Sequence, residues 1–229
     1  MKIGIMQPYF LPYIGYYQLI KAVDKFIIYD DVSFIKQGWI NRNRILTNGK
    51  TSYITINLSG ASSFKKIKEI EINFNKRKIL KTIHQNYYKS PFFESIYPLI
   101  EMIIEHEENN LAKFVINSLF KTCNFLDIQT ELIISSQLGI GTEVSGYERV
   151  LKICKFLTAT HYFNAIGGKE LYSKEIFKEN RIELKFLKTN EIVYNQFNDQ
   201  FVPCLSIIDL MMFNSKERVQ ELLTEYELV

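Results

Sequence analysis

The order strand, loop, helix, strand at the start of this chain constrains its fold more than any other feature. KIGIM (2–6) is a short apolar strand, stopped by Gln7 and Pro8. From about Tyr13 to Val23 the pattern turns helical, with Leu19, Ile20 and Val23 spaced to share one buried face. KFIIYDDV then reads as a second buried strand ending in Asp30 and Asp31. A helical crossover between two strands makes them parallel, because tight turns join antiparallel neighbours. Parallel sheets are covered on both faces, so the rest of the chain has to supply helices.

It does. RILTNGKTSYITINL holds two strand-like runs around Asn48-Gly49, a pair that tolerates the positive φ of a tight hairpin turn. EIEINF alternates Ile70, Ile72 and Phe74 with polar residues and predicts a half-exposed strand. Residues 75–89 predict a Lys-rich amphipathic helix, and roughly 92–126 two more. Glu131 to Ser135 returns to strand, Gly146 to Thr158 to helix, THYFN to strand, KELYSKEIFKEN to helix and IELKFL to strand. Pro203 introduces two terminal helices, LSIIDLMMFN and KERVQELLTEYEL. The expected fold class is α/β: a Rossmann-like, mainly parallel sheet flanked by helices. One domain over residues 1–229 is expected, with 42–126 an inserted hairpin-plus-helices subdomain.

Charge narrows the partners. With 28 basic and 25 acidic residues the net charge is +3, too small for a dedicated nucleic-acid binder, and no nucleic acid is expected. The run FKKIKEIEINFNKRKILK concentrates six lysines and one arginine, and reads as a solvated face or a guide for an anionic substrate. Cys123, Cys154 and Cys204 are far apart and odd in number, which fits reduced thiols and a cytoplasmic protein. The N-terminus lacks the long apolar stretch of a secretory signal, and Glu101 interrupts even IYPLIEMII, so membrane insertion is not expected.

Ligands of open parallel sheets bind beyond the carboxyl ends of the strands. Three loops qualify. The first carries Gln7, Pro8, Tyr9, Pro12, Tyr13, Gly15 and Tyr16. Its prolines stiffen the entry, and Gly15 near a helix start lets a ligand or another backbone approach. It also reads as a tyrosine-rich packing corner. The second carries Asp30, Asp31, Lys36, Trp39, Asn41, Arg42 and Arg44. Paired carboxylates bind ribose hydroxyls or a metal, or deprotonate an amine; arginines fork onto phosphates; tryptophan stacks on a base or sugar. The third, Asn164-Ala165-Ile166-Gly167-Gly168-Lys169, resembles an anion cradle, although Gly-Gly also makes ordinary turns.

His84, His106 and His161 have no metal-ligand spacing, so no metal site is expected. His161, just before the third loop, is a candidate general base, and also reads as a satisfied core histidine. Cys204 follows Pro203 at a helix start, where a thiolate is stabilised; a small buried residue is the plainer reading. No Gly-x-Ser-x-Gly elbow is present.

The stretch IGIMQPYFLPYIGYYQLIKAVDKFIIYDDVSFIKQGWINRNRIL resembles the WbqC-like protein family, as do ELYSKEIFKENRIELKFL and FVPCLSIIDLMMFN. Members typically occur with enzymes that build O-antigens, the polysaccharide of lipopolysaccharide, and other bacterial surface polysaccharides. The resemblance therefore implies a role in making or modifying an unusual sugar, a nucleotide-linked amino sugar. A more distant likeness is to the nucleotidyltransferase and pantothenate-synthetase superfamily, which opens with a strand, a Pro-containing loop and His-x-Gly-His leading the first helix. Here Tyr13-Ile14-Gly15-Tyr16 falls in that place. The glycine is kept, both imidazoles are replaced by tyrosines, and the departure weighs against ATP-driven nucleotidyl transfer.

The expectation is a transferase of the sugar N-acyltransferase kind, forming an amide by acyl or aminoacyl transfer. The acyl donor would be CoA or a carrier-protein thioester, which would make an acyl carrier protein a partner, and ATP would take its place in the ligase alternative. Arg42, Arg44 and Lys169 would hold phosphates, Asp30 or Asp31 would accept a proton or bind a hydroxyl, and Tyr13 with Gly15 would line the site. An ATP-dependent amide ligase or nucleotidyltransferase, and a non-catalytic scaffold of the same pathway, are the alternatives.

Overall fold

The computed structural model describes residues 1–141, 143–144, 146–197 and 200–229. The first strand, β1 (Lys2–Met6), leads through the first loop into helix α1 (Ile14–Lys21), which returns to strand β2 (Lys25–Ile28). The strands β1 and β2 pair in parallel, Ile3 with Lys25 through Met6 with Ile28.

A long excursion follows. It contains the hairpin β3 (Arg42–Thr47) and β4 (Lys50–Thr55), turning at Asn48 and Gly49, both with positive φ as the Asn-Gly pair requires. The next pairing is short: β5 (Leu58–Ser59) against β6 (Glu71–Ile72). The strand expected over EIEINF is thus two residues long, because only Leu58 and Ser59 lie opposite it. Helices α2 (Lys76–Tyr87), α3 (Phe93–Ile104) and α4 (Leu111–Phe125) follow. Asn75 and Asn110 cap α2 and α4 by accepting the backbone N–H groups of Lys78 and Lys113.

The chain then rejoins the main sheet as β7 (Glu131–Ile134), parallel to β2. Helix α5 (Gly146–Phe156) crosses back to β8 (His161–Ala165), which pairs in parallel with β1 on its other side. The helix expected over KELYSKEIFKEN splits into a 3-10 turn (Ile166–Leu171) and α6 (Lys174–Glu179), started anew by the Ser173 cap. After it come β9 (Glu183–Thr189), α7 (Ile207–Phe213) and α8 (Lys216–Leu222). The last expected helix stops early. Residues Tyr226–Leu228 form β10, which covers the open backbone of β9 in antiparallel register.

The six-stranded sheet has the order β10-β9-β8-β1-β2-β7, and only β10 runs antiparallel. Each face buries its own core. Ile3, Ile5 and Ile27 pack with Val150, Ile153 and Cys154 of α5 on one side. Phe26 and Ile28 pack with α1 on the other, in a cluster that extends without a break into α2, α3 and α4. Gly4 sits on that second face: a Cβ there would lie 3.0 Å from the Phe26 ring, so its absence lets the ring cross the strand. Among the described residues no helix is long and apolar enough to cross a membrane.

Candidate functional site

From β1 the sheet grows outward in one direction as β2 and β7, then in the other as β8 and β9. The chain reverses its direction of growth between β1 and β8. At such a switch point the loops leaving the two strands diverge, and a crevice opens beyond their carboxyl ends. Two cavities occupy it, of about 670 Å³ and about 320 Å³. Both are bordered by Met6, Tyr9, Ala165 and Gly167, so they are neighbouring chambers of one crevice.

The first loop is held rigidly at this border. Its Phe10 N–H donates to the Trp39 carbonyl at 3.1 Å. The buried Asn43 amide donates to the carbonyls of Phe10 and Leu11, at 3.0 and 2.9 Å, and the Ser206 hydroxyl to Leu11 at 2.7 Å. Tyr16 turns inward and donates to the Gln7 carbonyl at 2.9 Å.

Gln7, Asn164, Lys66 and the paired Asp31 and Arg149 line the larger chamber. The carboxylates at the end of β2 are buried and heavily bonded. Asp30 accepts from the Ser136 N–H at 3.0 Å and the Ser136 hydroxyl at 2.7 Å. The Ser135 hydroxyl donates between the two carboxylates, 3.0 Å from Asp30 and 2.5 Å from Asp31. Arg149, 2% exposed, forms an ion pair with Asp31 and lies 5.0 Å over the Tyr29 ring. Burial works to raise the Asp31 pKa, but the hydrogen bonds from Arg149 and Ser135 outweigh it, and the net shift is downward. Asp31 is therefore a firmly ionised carboxylate. Burial carries the Tyr29 hydroxyl the other way, up to about 12, against the pull of Arg149.

The smaller chamber is aromatic and cationic. Tyr9, Tyr13 and Trp39 line it together with Arg44 and Cys204. Trp39 stacks on Tyr53 with centroids 6.3 Å apart, and the Arg44 guanidinium lies 5.3 Å over Trp39. Arg44 donates to the Cys204 carbonyl at 2.9 Å, while its buried Nε has no hydrogen-bond partner among the described residues. Gly15 serves the protein itself: a Cβ there would overlap the Tyr13 hydroxyl and lie 2.6 Å from Thr189 Oγ1. The space read from sequence as room for a ligand is filled by the neighbouring tyrosine.

The structure brings Gln7, Tyr13, Gly15, Asp31, Trp39, Arg44, Asn164, Gly167 and Gly168 to the two chambers. Pro8 is buried beside them, and Asp30 stands behind Asp31. Asn41 and Arg42 are turned to the second loop and its hairpin. The Asn41 amide donates to the Ile56 carbonyl at 2.8 Å, and Arg42 donates to the carbonyls of Gly38 and Gln37 and covers the Tyr53 ring. Lys169 is exposed on the 3-10 turn. His161 is not brought there. It begins β8, paired with Glu183 at 3.1 Å, about 13 Å along the strand from the crevice. Cys204 is exposed, contrary to the small buried residue expected from sequence.

Sequence reasoning missed Arg149, hidden among the apolar residues of α5, and the Ser135–Ser136 pair. The pair had a signal. Ile28 lies opposite Ile134, so two residues further on each strand Asp30 meets Ser136.

A profile of the WbqC-like protein family matches residues 7–221. The chain is also similar to the uncharacterized protein Rv1507c of Mycobacterium tuberculosis (strain ATCC 25618 / H37Rv), 29% identical over 215 residues that cover 92% of each chain. No solved structure matches. With the family profile running from the first loop of the crevice to the last helix, the chain belongs to the WbqC-like protein family.

Proposed function

We propose that the protein is a transferase acting on a nucleotide-linked amino sugar of bacterial surface polysaccharide biosynthesis, forming an amide by acyl or aminoacyl transfer. The observation that carries this reading is the pairing of an aromatic, cationic chamber with a larger one that holds an ionised carboxylate. The smaller chamber suits a nucleoside, with Trp39 and Tyr13 as faces and the guanidinium of Arg44 for a phosphate. Gly167 borders both chambers, and a Cβ there would meet nothing within 4 Å. A diphosphate crosses at this point. The larger chamber takes the sugar, and Asp31 orients its amino group.

In the reaction the sugar nitrogen attacks the carbonyl carbon of a thioester, on CoA or a carrier protein. The C–N bond forms, the C–S bond breaks, and the amine proton ends on the departing thiolate. Nucleotidyl transfer fits the first loop less well. Tyr16, where the distantly similar enzymes have an imidazole, is buried and bonded to Gln7.

Trp39 is the single tryptophan of the chain, so its emission reports on the smaller chamber directly. Titration with UDP- or dTDP-linked amino sugars should change it saturably. Loss of a charge-assisted hydrogen bond in Arg44→Ala should weaken binding roughly ten- to hundredfold. Unchanged emission with every nucleotide-linked sugar tried, or full affinity in Arg44→Ala, would overturn the assignment.

A further inference from the structure

We propose that the protein docks reversibly on an anionic phospholipid surface through the tip formed by residues 33–38 and 60–68, with the larger chamber opening toward the lipid headgroups. The two segments are stitched together. The Phe34 N–H donates to the Lys65 carbonyl at 2.9 Å, the Ile67 N–H to the Val32 carbonyl at 2.9 Å, and Ser33 bridges Lys66. From this base two apolar side chains project into solvent: Phe64, 97% exposed, and Ile35, 54% exposed.

Charge is gathered at the same place. The two segments contain Lys36, Lys65, Lys66 and Lys68 and no acidic residue. Their charge of +4 exceeds the +3 of the whole chain, so the other 214 residues sum to −1. The carboxylate that follows, Glu69, is turned onto the Lys66 backbone N–H at 2.9 Å. An apolar wedge among lysines is the composition of an interfacial anchor: the Phe64 ring enters the acyl boundary while the exposed ammonium groups of Lys36, Lys65 and Lys68 reach lipid phosphates. The near-complete exposure of Phe64 leaves its ring free to enter a fluid interface, and the lysines around it match an anionic one. Ile35 and Lys66 also line the larger chamber, and this sets its mouth at headgroup level. With one small wedge and a few lysines, the binding is reversible.

The proposal does not rest on the transferase reading, and its test needs no substrate. The full chain is sedimented with vesicles of phosphatidylcholine alone, and of phosphatidylcholine and phosphatidylglycerol in equal parts. Binding is expected only with the anionic vesicles, and should weaken as salt rises. Phe64→Ala should lower the partition coefficient about tenfold. Lys36→Gln with Lys65→Gln should lower it by about 25-fold, at fivefold per lysine. Both variants should melt as the wild type does, since these side chains lie outside the core. In Phe64→Trp, emission should shift to the blue on anionic vesicles. The proposal fails if anionic vesicles leave the protein in solution, or if both variants bind as the wild type does. It also fails if an acidic carrier protein, and not the vesicles, is bound through Phe64 and these lysines.

Discussion

Replacing Arg149 by methionine would leave Asp31 charged and buried, with Ser135 as its remaining side-chain donor among the described residues. The side chains of the pair are 3% and 4% exposed, so solvent screens a stranded charge there only weakly. Removing one member of a buried pair costs about 3–5 kcal/mol, mostly as the penalty of stranding the other charge. In a chain of this length each kcal/mol lowers the melting temperature by about 2–4 °C, so Arg149→Met should lose about 6–20 °C. The defect should depend on pH, with a sign fixed by Asp31. In the wild type its folded pKa is lowered, so its contribution is complete above the unfolded value and is lost as pH falls through the folded one. In the variant burial acts without Arg149, the folded pKa rises, and the variant gains relative stability as pH falls. The gap between the two melting curves should therefore be widest near neutrality and close toward acid. Adding Asp31→Asn, which removes the stranded charge and keeps an oxygen for Ser135, should restore most of the loss. Differential scanning calorimetry from neutral to mildly acidic pH measures all three proteins. A loss below about 1 kcal/mol is what a solvated pair would give. That result, a gap independent of pH, or a double variant as weak as the single would refute the reasoning.

Two further outcomes follow from the same geometry. Gly15→Ala should push Tyr13 off its seat against Thr189, weakening nucleotide-sugar binding by tenfold or more in the Trp39 titration while far-ultraviolet dichroism stays unchanged. His161→Ala should leave kcat and KM within about twofold of the wild type, because the side chain lies at the far end of β8 and faces Glu183. A large fall in kcat there would move the chemistry away from the crevice.

The opening strand, helix and strand are legible because each is an uninterrupted local pattern, and local patterns determine element type. Strand order is not local. β7 follows β2 only after the long excursion between them, yet it lies beside β2, and nothing in either strand's own pattern names the other. The end of the chain shows the same limit. KERVQELLTEYEL has good helical periodicity, but the helix yields after Leu222, where pairing with the open edge of β9 satisfies backbone groups that a longer helix would leave exposed.

The site divides along the same line. Asp30, Asp31, Trp39 and Arg44 are legible as candidates from residue type and from position beyond a strand, since parallel sheets place their ligand loops there. What each of them does depends on partners distant in sequence. Asp31 meets Ser135 and Arg149, 104 and 118 residues away, and those contacts decide its chemistry. Read alone, it is a candidate base; paired, it is a carboxylate held ionised by the guanidinium and the hydroxyl beside it. In the proposed amide-forming transfer the departing thiolate takes up the amine proton, so Asp31 is asked to position the neutral amine and not to deprotonate it. On that proposal the neutral amine donates a hydrogen bond to the carboxylate in the wall of the larger chamber, which leaves its lone pair for the acyl carbon. Arg149 already balances the charge of Asp31, so on the proposed transfer the carboxylate is fitted to accept a hydrogen bond from a neutral amine and not to hold an ammonium, which could not attack.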